Sequence, residues 1–347
     1  MSADIAPTGR AGQPPSGGAP SPDRSGSASR VRASALARNP ILISAVIAVL
    51  LLSVGQVVSP GFGAPGQVIS MLRVASFLGF IAVGQTIVIL SGGDGIDLSV
   101  GKTATFAAIV AARVMDGSDA NVVQGLALAL LAGALVGLAN GLGITFLRIP
   151  PFVMTLGMMG VVQGLILAYT QGVAGGRSAP MLTSLVGGRA FLGVPGVLWI
   201  WLAVTVLVVL LLRRTRFGWE LYAVGANREA ARLSGVPVRR RVIQAYVASG
   251  FFAALGGIML VGYTESVFLN LADSYTLPAV AAVIIGGTLA SGGVGGYAGS
   301  AVGAIVLTVL TSFLTTINVP EAWRTIINGA VLVILLAAYG RQRRLRQ

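Results

Sequence analysis

Ten apolar runs constrain what this chain can fold into. They fall near residues 41–58, 67–90, 98–114, 122–146, 151–170, 195–212, 242–263, 276–290, 297–318 and 323–340. A helix needs about 20 mostly apolar residues to cross a bilayer core, and most of the runs approach that length. None alternates polar and apolar positions, which argues against a transmembrane barrel. In lipid, each run must then satisfy its own backbone hydrogen bonds as a helix. Composition agrees: apolar residues are 55% of the 347-residue chain and charged residues 10%, against roughly 25% charge in soluble domains. So little charge cannot cover a water-facing surface. The expected fold class is all-α, a polytopic membrane protein of about ten transmembrane helices with Gly-rich breaks and an internal repeat.

The net charge of +13 is clustered. Arg10, Arg24, Arg30, Arg32 and Arg38 precede the first run. Arg213, Arg214, Arg216, Arg228, Arg232, Arg239, Arg240 and Arg241 share the connection after the sixth. Arg341, Arg343, Arg344 and Arg346 come after the last. Cations collect on the cytoplasmic side of membrane proteins. Ten spans, an even number, put both termini and this loop inside, and put Asp116, Asp119, Glu265 and Asp273 outside. The apolar flanks argue against a nucleic-acid partner. The expected domains are a disordered cytoplasmic tail over 1–38, rich in Gly, Pro, Ser and Ala, a transmembrane domain over 39–340 with its cytoplasmic loop at 213–241, and a basic tail over 341–347. The run at 41–58 reads as a retained anchor.

Cysteine and histidine are both absent. That removes thiol nucleophiles, Cys-based zinc sites and any Ser-His-Asp triad, so no catalytic residue, metal or cofactor is expected. Gly101-Lys102-Thr103 ends like a phosphate-binding loop, but Ile96 stands where its first glycine is required. Gly293 to Ala298 matches a loose dinucleotide fingerprint without the surrounding βαβ unit. Any ATP chemistry must come from a partner.

Two glycine-rich breaks interrupt the apolar pattern, Ser91 to Gly101 and Gly286 to Gly296. They read as matched elements of two repeats. Within the first, Asp97 has two readings. It caps the next helix through the amides near Ser99 and Val100, or it belongs to a pathway or gate with Gly92, Gly93 and Ser99. Glycines at 133, 137 and 141, and at 295, 299 and 303, have the small-xxx-small spacing of close helix contacts. Gln85, Asn140, Thr155, Gln163, Asn318 and Asn328 are lone polar residues within apolar runs. Each either bonds a neighbouring helix or lines a path. In the basic loop, Asn227 can cap a helix over 228–234, Gly235 suits its end, and Pro237 stops it. Such a helix is too short to persist alone. It docks on its own bundle or, through the face bearing Ala230 and Leu233, on a cytoplasmic partner.

Three stretches resemble the integral membrane subunit of bacterial ABC sugar importers of the ribose type, in the branched-chain amino acid/sugar permease superfamily. They are GQTIVILSGGDGIDLSVG over 84–101, the loop from Thr215 to Arg241 with AVGANREAARLSGV over 223–236, and Ile284 to Gly303. The likeness extends over about 66–340. It implies a bacterial inner-membrane permease that pairs with a second copy in a homodimer. It also implies a cytoplasmic ATP-binding subunit docked on residues 227–235, an extracytoplasmic sugar-binding protein, and a monosaccharide or related small polar solute as cargo. The coupling residues would be Gly225, Asn227, Ala230, Ala231, Leu233, Ser234 and Gly235. Asp94-Gly95 departs from the family pattern as an insertion, and Lys102 stands where small residues are usual. The competing reading is an ion-coupled secondary transporter, for which Asp94 and Asp97 would be the acids.

Overall fold

The computed structural model describes residues 40–188 and 190–344. The expected tail over 1–38 and the last residues of the basic tail lie outside these. Among the described residues all regular structure is helical, in thirteen α-helices. They are α1 (Pro40–Val58), α2 (Pro65–Leu90), α3 (Val100–Met115), α4 (Val122–Thr145), α5 (Pro151–Thr170), α6 (Pro180–Gly187) and α7 (Gly196–Arg214). After these come α8 (Arg216–Ala226), α9 (Arg228–Leu233), α10 (Val238–Thr264), α11 (Thr276–Ile285), α12 (Tyr297–Thr316) and α13 (Glu321–Arg344).

Every apolar run became a helix, but ten full spans did not result. Among the described residues seven helices are long and apolar enough to cross a membrane by length and composition: α1, α2, Asp119–Thr145 (which includes α4), α5, α7, α10 and α12. The run at 98–114 is the 16-residue α3, and the run at 276–290 is the 10-residue α11 with a break after it. At 1.5 Å per residue these reach about 24 and 15 Å, short of the roughly 30 Å core. The cause is local. Each glycine-rich break takes residues from an adjoining helix, so each joins a full-length helix to a shortened one. The run at 323–340 lies in α13, which is not among the seven.

Helices α2 and α10 form the centre: 83% and 72% of their most apolar stretches are buried, against 17% for α1 and α5. The outer helices present large apolar side chains outward, among them Val49 and Leu50 on α1, Leu131 and Leu135 on α4, and Leu202 and Leu207 on α7. Water would penalise such a surface, and hydrocarbon does not. Helix α10 packs most extensively on α4, then on α2 and α3. On α4, Gly133 and Gly137 meet the backbone of Gly250 and Tyr246, and Gly141 meets Ile243. The expected small-residue stripe is therefore a backbone-to-backbone seam. The second stripe is one as well: Gly299 abuts Gly286, and Gly303 abuts Ala282 of α11.

A Cβ added to Gly137 would strike the Tyr246 carbonyl, whereas one added to Gly157 of α5 meets nothing within 4 Å. Gly137→Leu is therefore expected to cost more than the about 1–3 kcal/mol of ordinary overpacking, because backbone cannot rotate aside. Monodisperse yield and thermal unfolding in mild detergent should fall sharply for Gly137→Leu and stay near the parent for Gly157→Ala.

Candidate functional site

The first break turns through three successive left-handed residues, Gly92 (φ 68°), Gly93 (φ 63°) and Asp94 (φ 54°). Aspartate is among the few side chains that tolerate this region. The Asp94 side of the turn is exposed, while Gly95 is buried. Asp97 is 1% exposed. Its Oδ1 accepts from the Ser99 amide (3.0 Å) and the Ser99 hydroxyl (2.6 Å), and its Oδ2 accepts from the Ser249 hydroxyl of α10 (2.7 Å). Asn140 of α4 donates to the Ser99 hydroxyl oxygen (2.9 Å). The Gln85 amide, oriented to satisfy both groups, donates to the Asp97 carbonyl (3.1 Å) and accepts from its N–H (3.3 Å). Thr155 of α5 donates to the Ile96 carbonyl at 3.3 Å. The carboxylate thus ties the start of α3 to α10, and the Ser99 hydroxyl and the Asp97 backbone extend the knot to α4 and α2. Of the amides foreseen for Asp97, that of Ser99, itself the N-cap of α3, is bound; the other carboxylate oxygen takes the Ser249 hydroxyl instead.

The second break lies directly against the first. The Gly293 amide donates to the Leu90 carbonyl, the last residue of α2, at 3.1 Å. A Cβ on Gly292 would run into the Gly92 backbone, and one on Gly92 would meet Gly225 at 2.8 Å. Gly225, near the end of α8, is wedged between the Leu90 carbonyl and Gly293. Three separated segments therefore touch backbone to backbone at Gly92, Gly225 and Gly293. The positive φ of Gly92 and Gly293 (71°) and the close approach at Gly225 leave no room for side chains. Two bonds tie the junction to the loop. Arg228 Nη2 donates to the Gly92 carbonyl (2.9 Å), and the Tyr222 hydroxyl donates to the Gly295 carbonyl (2.9 Å).

Immediately beyond the junction stands α9, six residues long. Asn227 caps it, its Oδ1 accepting from the Glu229 and Ala230 amides at 3.0 Å each. Gly235 (φ 80°) ends it in the left-handed conformation, and Pro237 precedes α10. Ala231 is buried against the bundle, while Leu233 is 78% exposed and Ala230 and Ser234 are also open. The helix therefore docks on its own bundle through Ala231 and leaves the Leu233 side chain exposed. Upstream, Glu220 of α8 accepts from Arg216 (Oε1, 2.5 Å) and from Arg241 of α10 (Oε2, 2.6 Å), clamping α8 to α10. Hydrogen bonds from Arg241 and then Arg216 hold its pKa below the ordinary 4.5.

The candidate residues separate into three places. Gln85, Asp97, Ser99 and Asn140 meet in the buried knot, Gly92, Gly93 and Gly225 meet at the junction, and residues 227–235 form the short helix. Gln163 of α5 and Asn328 of α13 belong to none of these, and each has a shielded, unpaired side-chain oxygen. Sequence reasoning missed Ser249, Tyr222, Arg228 and Glu220 as partners, and the pairing of Lys102 with Asp273 at 2.5 Å. That pair accounts for a lysine where a small residue was expected. The available signal was the presence of one polar group in an apolar segment and one acid in a connection far along the chain, which no local pattern links.

Broken helices meeting in a glycine junction beside a short exposed helix, within a bundle whose outer face suits hydrocarbon, define a membrane transport subunit. The chain belongs to the branched-chain amino acid transport system / permease component family, whose model matches residues 67–336. It is 35% identical to the ribose import permease protein RbsC of Bacillus subtilis (strain 168), over 82% of this chain and 88% of that protein. It is also 35% identical to the inner membrane ABC transporter permease protein YjfF of Escherichia coli (strain K12), over 81% and 86%. With the galactose/methyl galactoside import permease protein MglC of the same organism it shares 34%, over 84% and 91%. No solved structure matches.

Two outcomes test this site. Asp97→Ala should lower stability by about 1–3 kcal/mol for each donor it orphans. Asp97→Asn, which still accepts from Ser99 and can donate to Ser249, should lose much less. Equal unfolding temperatures for the two variants in detergent would contradict the network. For Glu220, a lowered folded pKa means its stabilisation is complete above the unfolded value and is lost as pH falls through the folded one. Hydrogen-exchange protection of α8, corrected for intrinsic rates, should hold from about pH 8 to about pH 5 and drop to the Glu220→Gln level only below about pH 4.

Proposed function

We propose that the chain is the membrane permease subunit of an ATP-driven ABC importer for a monosaccharide, a ribose-like pentose, a hexose or a related small polar solute. It acts in the inner membrane without catalysis of its own. The relatives named as import permeases for ribose and galactose support the cargo class. On this reading the permease works as a homodimer surrounded by lipid. An ATP-binding subunit docks on α9, and a sugar-binding protein delivers cargo to the opposite face. Positive-inside asymmetry favours placing both termini and the 213–241 loop in the cytoplasm.

One observation carries the coupling role: the backbone contact of Gly225 with both breaks, two residues before the cap of α9. A push on α9 reaches α2 and α3 through Gly92, and α11 and α12 through Gly293, with no flexible side chain in between. Moving a two-state transporter from 1:99 to 99:1 takes about 5.5 kcal/mol of differential binding. ATP-driven closure of the partner would supply it through this contact. Ion coupling has less support. It requires an acid within the bundle free to load and release a proton or cation; both oxygens of buried Asp97 are taken by donors, and Asp94 lies on the exposed side of the turn.

Purification from native membranes in mild detergent should bring down an ATPase subunit. Leu233→Glu, on the exposed side of α9, should release it while leaving the permease folded, and uptake should fall to background. A stable chain that transports when reconstituted alone, with no ATPase bound, would establish the secondary carrier instead.

A further inference from the structure

A cavity of about 410 Å³ lies among α2, the segment entering α11, α12 and the first turns of α13. Small-molecule sites commonly measure about 300–1,000 Å³. Leu78 and Leu307 contribute apolar wall, and Asp273, Thr308, Thr311, Arg324, Thr325 and Asn328 contribute polar wall. Three of those six each hold a shielded polar atom with no partner, namely Asp273 Oδ1, Arg324 Nε and Asn328 Oδ1. A buried polar atom left unpaired costs about 1–3 kcal/mol. The polar groups of these three lining residues are thus only partly paired within the protein.

Helix α12 starts beside the second break and runs away from it. Thr311 and Thr308 lie five and eight residues before its last residue, Thr316, about 8–12 Å below that end. The cavity therefore lies toward the end of α12 remote from α9. Its charges cancel: Asp273 is paired with Lys102, and Glu321 and Arg324 line the same wall with opposite signs. A balanced wall gives a bare ion nothing to replace its hydration. Donors and acceptors around an apolar patch instead match a solute with hydroxyls at its rim and C–H groups on its faces.

We propose that this cavity is a binding site for the transported monosaccharide within each permease copy. Hydroxyls of the sugar would pair with Thr308, Thr311, Thr325 and Asn328, and a ring face would rest on Leu78 and Leu307. The inference rests on the sugar-permease reading above and adds where the cargo pauses. It also gives Asn328 a role that the buried knot does not.

The absence of cysteine from the chain makes a direct test possible. Thr311→Cys and Thr325→Cys are introduced singly into the complete importer in its own cells. Uptake of radiolabelled D-ribose, D-xylose, D-galactose and D-glucose is measured before and after a membrane-impermeant trimethylammonium thiosulfonate. Before treatment both variants should still transport, with a raised half-saturating sugar concentration. Afterwards uptake should fall by about tenfold or more, excess transported sugar should slow the modification, and the treated Cys-free parent should be unaffected. Thr311→Val, which loses only the hydroxyl, should raise the half-saturating sugar concentration, while Thr311→Ser should not. Complete modification of both cysteines with uptake unchanged would overturn the site. So would failure to modify either while Ala120→Cys, in the α3–α4 connection, reacts. A parent that takes up none of the four sugars would instead overturn the sugar reading itself, before any variant is compared, and the site with it.

Discussion

A helix already immersed in hydrocarbon gains little by hiding apolar side chains against another helix, so close backbone approach and shared polar groups have to hold a membrane bundle together. The structure depends on the first of these almost everywhere. Gly133, Gly137 and Gly250 bring α4 and α10 together, Gly257 sets α10 against Ala104 of α3, and Gly286 and Gly299 close α11 on α12. The contact between Gly92, Gly225 and Gly293 applies the same principle where two interrupted helices and the basic loop converge. Elsewhere this packing makes a seam between two helices; here it joins three segments that are far apart in the chain.

Polar groups supply the second kind of support, and their placement shows economy. An aspartate at a span centre costs roughly 2.5–3.5 kcal/mol on the insertion scale. Asp97 offsets that by accepting from Ser99 and Ser249 at once, which fixes the start of α3 against the middle of α10. A second tie does similar service nearby. Thr86 donates to the Ser300 hydroxyl (2.8 Å), and Trp201 donates to Tyr297, whose own hydroxyl donates to the Gly79 carbonyl (2.9 Å). These bonds join α2 and α7 to α12. Both breaks are thus anchored firmly on their helix sides and exposed to leverage at their glycines.

That contrast gives the proposed coupling a physical form. Gly225, on the helix clamped to α10 by Glu220, sits against two turns at their left-handed, side-chain-free residues Gly92 and Gly293. Motion of α9 would be passed to the turns before it could be absorbed by rotamers. In the proposed coupling a partner would take hold at Leu233, exposed on the outer side of the same six-residue helix.

Much of this was legible in the sequence because the relevant physics is local. Runs of apolar residues longer than a bilayer core can only be helices. Asn227, Gly235 and Pro237 punctuate α9 through backbone geometry that needs no neighbour, and glycines four apart announce a seam. The number of complete spans was not legible. Hydropathy marks where a chain is apolar, whereas the breaks decide how much of each run stays helical, and that is how α3 and α11 came to be short. Nor could the sequence place Ser249 beside Asp97, Asp273 beside Lys102, or Gly225 between two breaks about 70 and 130 residues away along the chain. Composition and periodicity determined that this chain is a helical membrane protein with a short capped helix in a basic loop. Only tertiary packing decided which glycines meet and which carboxylate is satisfied, because those facts depend on distances between residues that no local pattern relates.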